Sequence, residues 1–126
     1  MLDAYDKYVM FMRAEFETSV EDALFENGQP AILLKLSGSS VEVNVWLTVD
    51  EAAALHRLTT LPCDSRALRL GKCANSQAHW GRDEEKTFFL VVGHDDETWD
   101  VGLTLSDSNF SAMINEVESH LRNRPR

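Results

Sequence analysis

His94, Asp95, Asp96 and Glu97 put an imidazole and three carboxylates into one short stretch, so metal binding and acid/base chemistry are the first possibilities to weigh. A four-coordinate zinc needs ligands that converge on one point. Adjacent residues of a tight turn point in different directions, and the chain has no HxH, HxxxH or Cys-His pair to complete a site. The DxDxDG spacing of a calcium loop is missing as well. The pattern therefore predicts a solvated acidic hairpin tip, with no metal or other cofactor.

Nucleophilic catalysis needs a hydroxyl or thiol, a base and an orienting group. Cys63 follows Pro62 at a predicted helix end and Cys73 closes a predicted strand, neither within a nucleophile motif. Both read as buried or incidental thiols of a reducing compartment, because they form no CxxC and lack the density of a disulfide scaffold. His56 and His120 fall on predicted helices; His79 and His94 are the histidines around which a dispersed active site could form. Acids that occur in runs, Asp83-Glu84-Glu85 and Asp95-Asp96-Glu97, are expected in solvated turns and not as a catalytic pair held about 5–9 Å apart in a cleft. The six glycines form neither GxGxxG nor GxxxxGK[ST], so no phosphate loop is present.

Charge is more informative than any motif. The 126 residues carry 12 Lys and Arg against 21 Asp and Glu, a net charge of −9. Such acidity disfavours nucleic acid and anionic membranes and suits soluble life or a basic partner. The excess is local. Residues 1–30 hold two bases against seven acids, and residues 83–109 one base against eight; residues 31–82 hold six bases against four acids. Asp100 on the next strand extends the tip formed by Asp95, Asp96 and Glu97, while Asp83, Glu84 and Glu85 lie at the other end of the intervening strand. Trp46, on the wetter face of a strand, and Trp80, in a polar loop, are candidate apolar anchors beside these acids; Trp99 is expected to be buried. An exposed Trp flanked by carboxylates is the composition of a surface that binds a basic protein.

The elements that would position these groups follow from periodicity. Leu2, Tyr5, Val9 and Met12 recur at helical spacing, although residues 10–17 also alternate as a strand would; a helix over 2–13 and a weaker structured stretch to Phe25 are expected. Asn27-Gly28-Gln29-Pro30 marks a turn. Ala31–Ser37 and Val41–Thr48 read as a hairpin joined at Gly38-Ser39, the second strand directing Val41, Val43, Val45 and Leu47 to one face. Thr48-x-x-Glu51 is a capping box opening a helix over Glu51–Thr59. Arg66–Lys72 reads as a strand, Ala74–Arg82 as a loop or a short strand around His79-Trp80, and Lys86–Val92 and Thr98–Leu105 as strands. A final helix, Ser108–Leu121, carries Phe110, Met113, Ile114, Val117 and Leu121 on one stripe. The expected fold class is α+β in the order α-β-β-α-β-(β)-β-β-α. It is a mainly antiparallel sheet of about five strands with helices on one face, in a single domain over 1–122 with a frayed basic tail, 123–126.

The segments WLTVDEAAALHRL (Trp46–Leu58) and FFLVVGHDDETWDVGLTL (Phe88–Leu105), with the small size, the acidity and the lack of a catalytic motif, resemble the immunity proteins of bacterial polymorphic-toxin and contact-dependent growth-inhibition systems. The resemblance implies a cytoplasmic, non-enzymatic protein that binds a cognate toxin, such as a nuclease with a basic active-site groove. It places Asp95, Asp96, Glu97 and Asp100 as steering and pairing carboxylates with His94 beside them, Trp80 or Trp46 as anchor, and Asp83, Glu84 and Glu85 as further acids. Two alternatives remain open on sequence alone: a small acidic chaperone or adaptor that forms a homodimer, and an enzyme with a dispersed site around His79 or His94.

Overall fold

The computed structural model describes residues 16–38, 41–62, 66–83 and 87–123. Within them the chain runs β1 (Glu17–Leu24), β2 (Pro30–Ser37), β3 (Glu42–Thr48), α1 (Val49–Ala54), a 3-10 turn (Leu55–Thr59), β4 (Leu68–Cys73), β5 (Ser76–Arg82), β6 (Phe88–Gly93), β7 (Trp99–Leu105) and α2 (Asp107–Arg122). The strands form one antiparallel sheet in chain order, β1 through β7. The class is α+β as expected, but the sheet has seven strands. The two additions are β1, where a weaker stretch trailing a helix was expected, and β5, expected as a loop or short strand. The helix expected over 2–13 lies outside the described residues.

Cross-strand register sorts the side chains. Val20, Leu34 and Val45 line up, as do Ile32 with Leu47, Trp80 with Leu90 and Leu103, and Phe88 with Leu105. All of these are buried, and they join one core with Ala52, Leu55 and Leu58 from α1 and its 3-10 extension and Phe110, Met113, Ile114 and Val117 from α2. Both helices therefore cover the same face, each through its apolar stripe.

The sheet is strongly curled. In a flat sheet six strand spacings would separate β1 from β7 by about 29 Å. Yet Asn109, four residues beyond β7, donates from Nδ2 to the Phe16 carbonyl at 3.1 Å, and four residues span at most about 14 Å. The Leu105 end of β7 thus comes round towards the start of β1, with α2 lying inside the curve. There the ring of Phe110 stacks on Phe88 with centroids 3.9 Å apart and meets Trp80 at 6.5 Å. Along β1 the same helix covers the edge, Glu116 accepting from the Val20 amide at 3.3 Å, which removes a site for unwanted strand pairing.

The Thr48 capping box is formed: the Glu51 amide donates to Thr48 Oγ1 at 3.0 Å and the Thr48 amide to Glu51 Oε1 at 2.9 Å. Glu51 Oε2 also accepts from the Gly71 amide at 3.1 Å, so one carboxylate joins β3, α1 and β4. At the far end of the 3-10 turn the Arg82 guanidinium donates to the carbonyls of Thr59 and Leu61.

Candidate functional site

The acidic turn is where the sequence places it, joining β6 to β7, but its carboxylates are not equivalent. Asp95 Oδ1 accepts from the amides of Glu97 at 2.8 Å and Thr98 at 2.7 Å. These bonds favour the ionised form, so the Asp95 carboxyl lies below the usual carboxylate range, helped by His94 and Arg66. Asp96 turns across the sheet to Arg66, 2.6 Å from its Nη2, and accepts from the Ala67 amide at 3.4 Å. That contact spans thirty residues and leaves the Asp96 side chain only 18% exposed. Asp95 and Asp96 therefore hold the turn in one shape, which leaves His94, Glu97 and Asp100 directed to solvent.

The expectation that all four acids form one outward patch is corrected accordingly. Tight turns leave several amides without strand partners, and the nearest short carboxylates satisfy them. Asp83 behaves similarly at the other end of β6, where its Oδ1 accepts from the Thr87 amide at 2.9 Å. Glu84 and Glu85 lie outside the described residues.

Trp80 is also corrected. It is not in a polar loop but on β5, 0% exposed, under the ring of Phe110. Its Nε1 donates to the Leu70 carbonyl at 3.0 Å, which makes burial of the indole tolerable. His79, on the opposite face of the same strand, is 5% exposed and its Nε2 donates to the Gly93 carbonyl at 3.2 Å; the imidazole is closed off from an external substrate. Trp46 is half-buried on the sheet face away from α1 and α2, opposite Leu33 and Lys72, with the Phe25 ring 6.1 Å away. Trp99, expected to be buried, is half-exposed. A register shift at Val92/Gly93 pairs it with Gly93 and takes it out of the alternation of Leu103 and Leu105.

Two features escaped the sequence reading. One is the Arg66–Asp96 clip, for which local spacing gives no signal. The other is the β1–β2 connection, in which Leu24 and residues 26–30 are exposed and Leu24 is 65% accessible. Its turn was legible in Asn27-Gly28-Gln29-Pro30, but its prominence required knowing that β1 is a strand.

Among the described residues no three His, Cys, Asp or Glu side chains gather to hold a metal, and no helix is long and apolar enough to cross a membrane. Cys73 is half-buried, and burial pushes its thiol up to about 11. At pH 8 about one Cys73 in a thousand is then thiolate. Site-mapped alkylation should find Cys73 nearly unreactive in the folded protein and fully reactive in urea; rapid labelling of the native chain at this position would contradict the placement.

Comparisons with protein-family models, curated proteins and solved structures return no match for this chain.

Proposed function

We propose that the chain is an immunity-type inhibitor that binds a basic toxin domain through acidic surface elements and performs no chemistry itself. The observation that carries this reading is the 94–98 turn, in which Asp95 and Asp96 fix the backbone while Glu97 and the adjoining Asp100 face outward. A pre-shaped acidic projection loses little freedom on docking, and its charges accelerate encounter with a basic groove. Blocking such a groove needs bulk and charge, which a curled sheet stiffened by two helices supplies.

The test is co-production of the chain with each protein encoded by the genes flanking its own, followed by growth measurement and, for a toxic neighbour, association kinetics with its purified domain. The chain should protect growth. Glu97→Lys with Asp100→Lys should slow association at low salt by about tenfold, the lower end of electrostatic steering, with a much smaller change at high salt. A tight complex whose association rate ignores both substitution and salt would eliminate the steering role.

Asp96→Asn should act differently. It weakens the clip without reversing a charge, so it should increase hydrogen exchange at 94–98 and at Ala67, leaving the rest of the sheet protected. Acid should have a related effect. Because the folded Asp95 carboxyl lies below its unfolded value, its contribution to the turn is complete above the ordinary carboxylate range and is lost as pH falls through the depressed value. Amide exchange of Glu97 and Thr98, corrected for intrinsic rates, reports this directly.

A second reading, a dimeric adaptor, is favoured by the sheet face opposite α1 and α2, which carries half-buried Leu33, Trp46 and Phe89. Light scattering on the isolated chain separates it from a monomeric inhibitor.

A further inference from the structure

We propose that the 94–98 turn is a strap laid over His79 on the sheet face away from α1 and α2, latched by Asp96 and released by a cation that draws Asp96 from Arg66. Its course follows from register. On β6, Gly93 pairs with Gln77 and Val91 with His79. On β4, Arg69 pairs with His79 and Leu68 with Trp80, which sets Ala67, one residue earlier, level with Gly81. The line from Gly93 to Ala67 therefore crosses β5 midway between Gln77 and Gly81, at His79. A turn that simply continued the β6–β7 hairpin would leave the sheet beyond Gly93, away from Ala67. The Asp96 carboxylate instead accepts from the Ala67 amide at 3.4 Å, so the turn folds back. Gly93 marks the fold. A β-carbon there would point to the same face as Val91, where it would clash with Trp99 Cα and lie 2.8 Å from the Thr98 carbonyl oxygen.

Burial beneath the strap agrees with this course. His79 is 5% exposed and Val91, its partner on β6, is 2% exposed, whereas Leu33, Trp46 and Phe89 on the same face are only half-buried. The imidazole is bonded to the Gly93 carbonyl, at the root of the strap. Asp95 accepts from Glu97 and Thr98 within the turn and so gives the strap its shape; Asp96 ties it to the far strand. That tie is made to give. Arg66 is 78% exposed, so water screens the ion pair and leaves it weak. Exposed Glu97 and Asp100 nearby attract a competing cation. A guanidinium or ammonium group that takes Asp96 leaves that carboxylate only its longer bond to the Ala67 amide. The strap then lifts from His79 while β5 keeps its backbone pairing with β4 and β6. Resting on the toxin-binding reading, the basic partner is such a cation, and docking at this turn and release of the strap are one event.

The test is acylation of histidine by diethyl pyrocarbonate, mapped by mass spectrometry, with exposed His56 as the internal reference. In the parent chain His79 should react far more slowly than His56. Asp96→Asn should raise the His79 rate about fivefold, the upper worth of an exposed ion pair. Arg66→Glu, which sets a like charge against Asp96, should raise it further, and Arg66→Lys should hold it within about twofold of the parent. An N-acetylated, amidated hexa-arginine peptide at low salt should accelerate His79 in the parent and add nothing in Asp96→Asn. Alkylation of Cys73 should stay slow in every variant, which separates lifting of the strap from loss of the fold. Equal protection of His79 in the parent, Asp96→Asn and Arg66→Glu would place its cover elsewhere and overturn the strap; a parent rate that the peptide leaves unchanged or lowers would overturn release by a cation. Growth measurement judges the inhibitor separately: no protection by the parent chain removes that reading, and the labelling still decides the strap.

Discussion

Phe110→Ala should destabilise the protein by about 3–5 kcal/mol, the range for truncating a fully buried aromatic residue. Phe110 is 0% exposed, stacked on Phe88 at an interplanar angle of 11° and in contact with Trp80. It is the point at which α2 meets β5 and β6, so the cavity would open between the helix and the inside of the curled sheet. With domains of this size stable by about 5–15 kcal/mol, a large part of the folding free energy is at stake, and the thermal midpoint should fall by roughly 10–20 °C. Urea unfolding measures the loss, and Phe110→Leu, which keeps most of the volume, should lose much less. A cost below about 1 kcal/mol for the alanine variant would mean that α2 is not seated as described. Because α2 also covers the β1 edge through Asn109 and Glu116, loosening it should raise amide exchange along β1 before the other strands.

Gly71→Ala should cost about 2–5 kcal/mol, from two additive causes. Gly71 has φ of +90°, which an L side chain rarely adopts, and a β-carbon there would lie 2.7 Å from both Leu47 Cδ2 and Val45 Cγ1 and 3.0 Å from the Trp46 carbonyl oxygen. The backbone term is about 1–2 kcal/mol and overpacking adds about 1–3 kcal/mol. Gly28→Ala separates them: Gly28 has φ of +85° but no atom within 4 Å of the added carbon, so it should show the backbone term alone. Equal losses at the two positions would contradict the close approach of β3 and β4. The consequence reaches the surface, since Lys72, next to Gly71, pairs with Trp46, and the Gly71 amide is held by Glu51.

The elements legible in the sequence were those with dense local signals. Val43, Val45 and Leu47 alternate with Glu42 and Asn44, and the strand is present with that face buried. Thr48 and Glu51 fix a helix start by contacts three residues apart, and the stripe from Phe110 to Val117 is the buried side of α2. β1 was obscured because only Val20 of its eight residues is buried; an edge strand half covered by a helix offers no alternation to read. β5 was obscured because polar Gln77 and His79 share its length with Ala78 and Trp80, and two large or apolar positions among polar ones look like a loop until neighbouring strands on both sides supply the pairing.

The candidate surface divides along the same line. Composition by itself determined that acidic charge is concentrated in residues 1–30 and 83–109, that the 94–97 acids fall in a turn, and that an α+β sheet with one apolar face would form, since these depend on residue type and short-range spacing. Tertiary structure decided which acids remain outward. Asp96 is occupied because the 94–98 turn reaches Arg66 and Ala67, about thirty residues away in the chain, and Trp80 is buried because α2 returns across β5 and β6 to cover it. Contacts of that range have no periodicity in the chain; they exist only once the seven strands close round the helix and fix the distances.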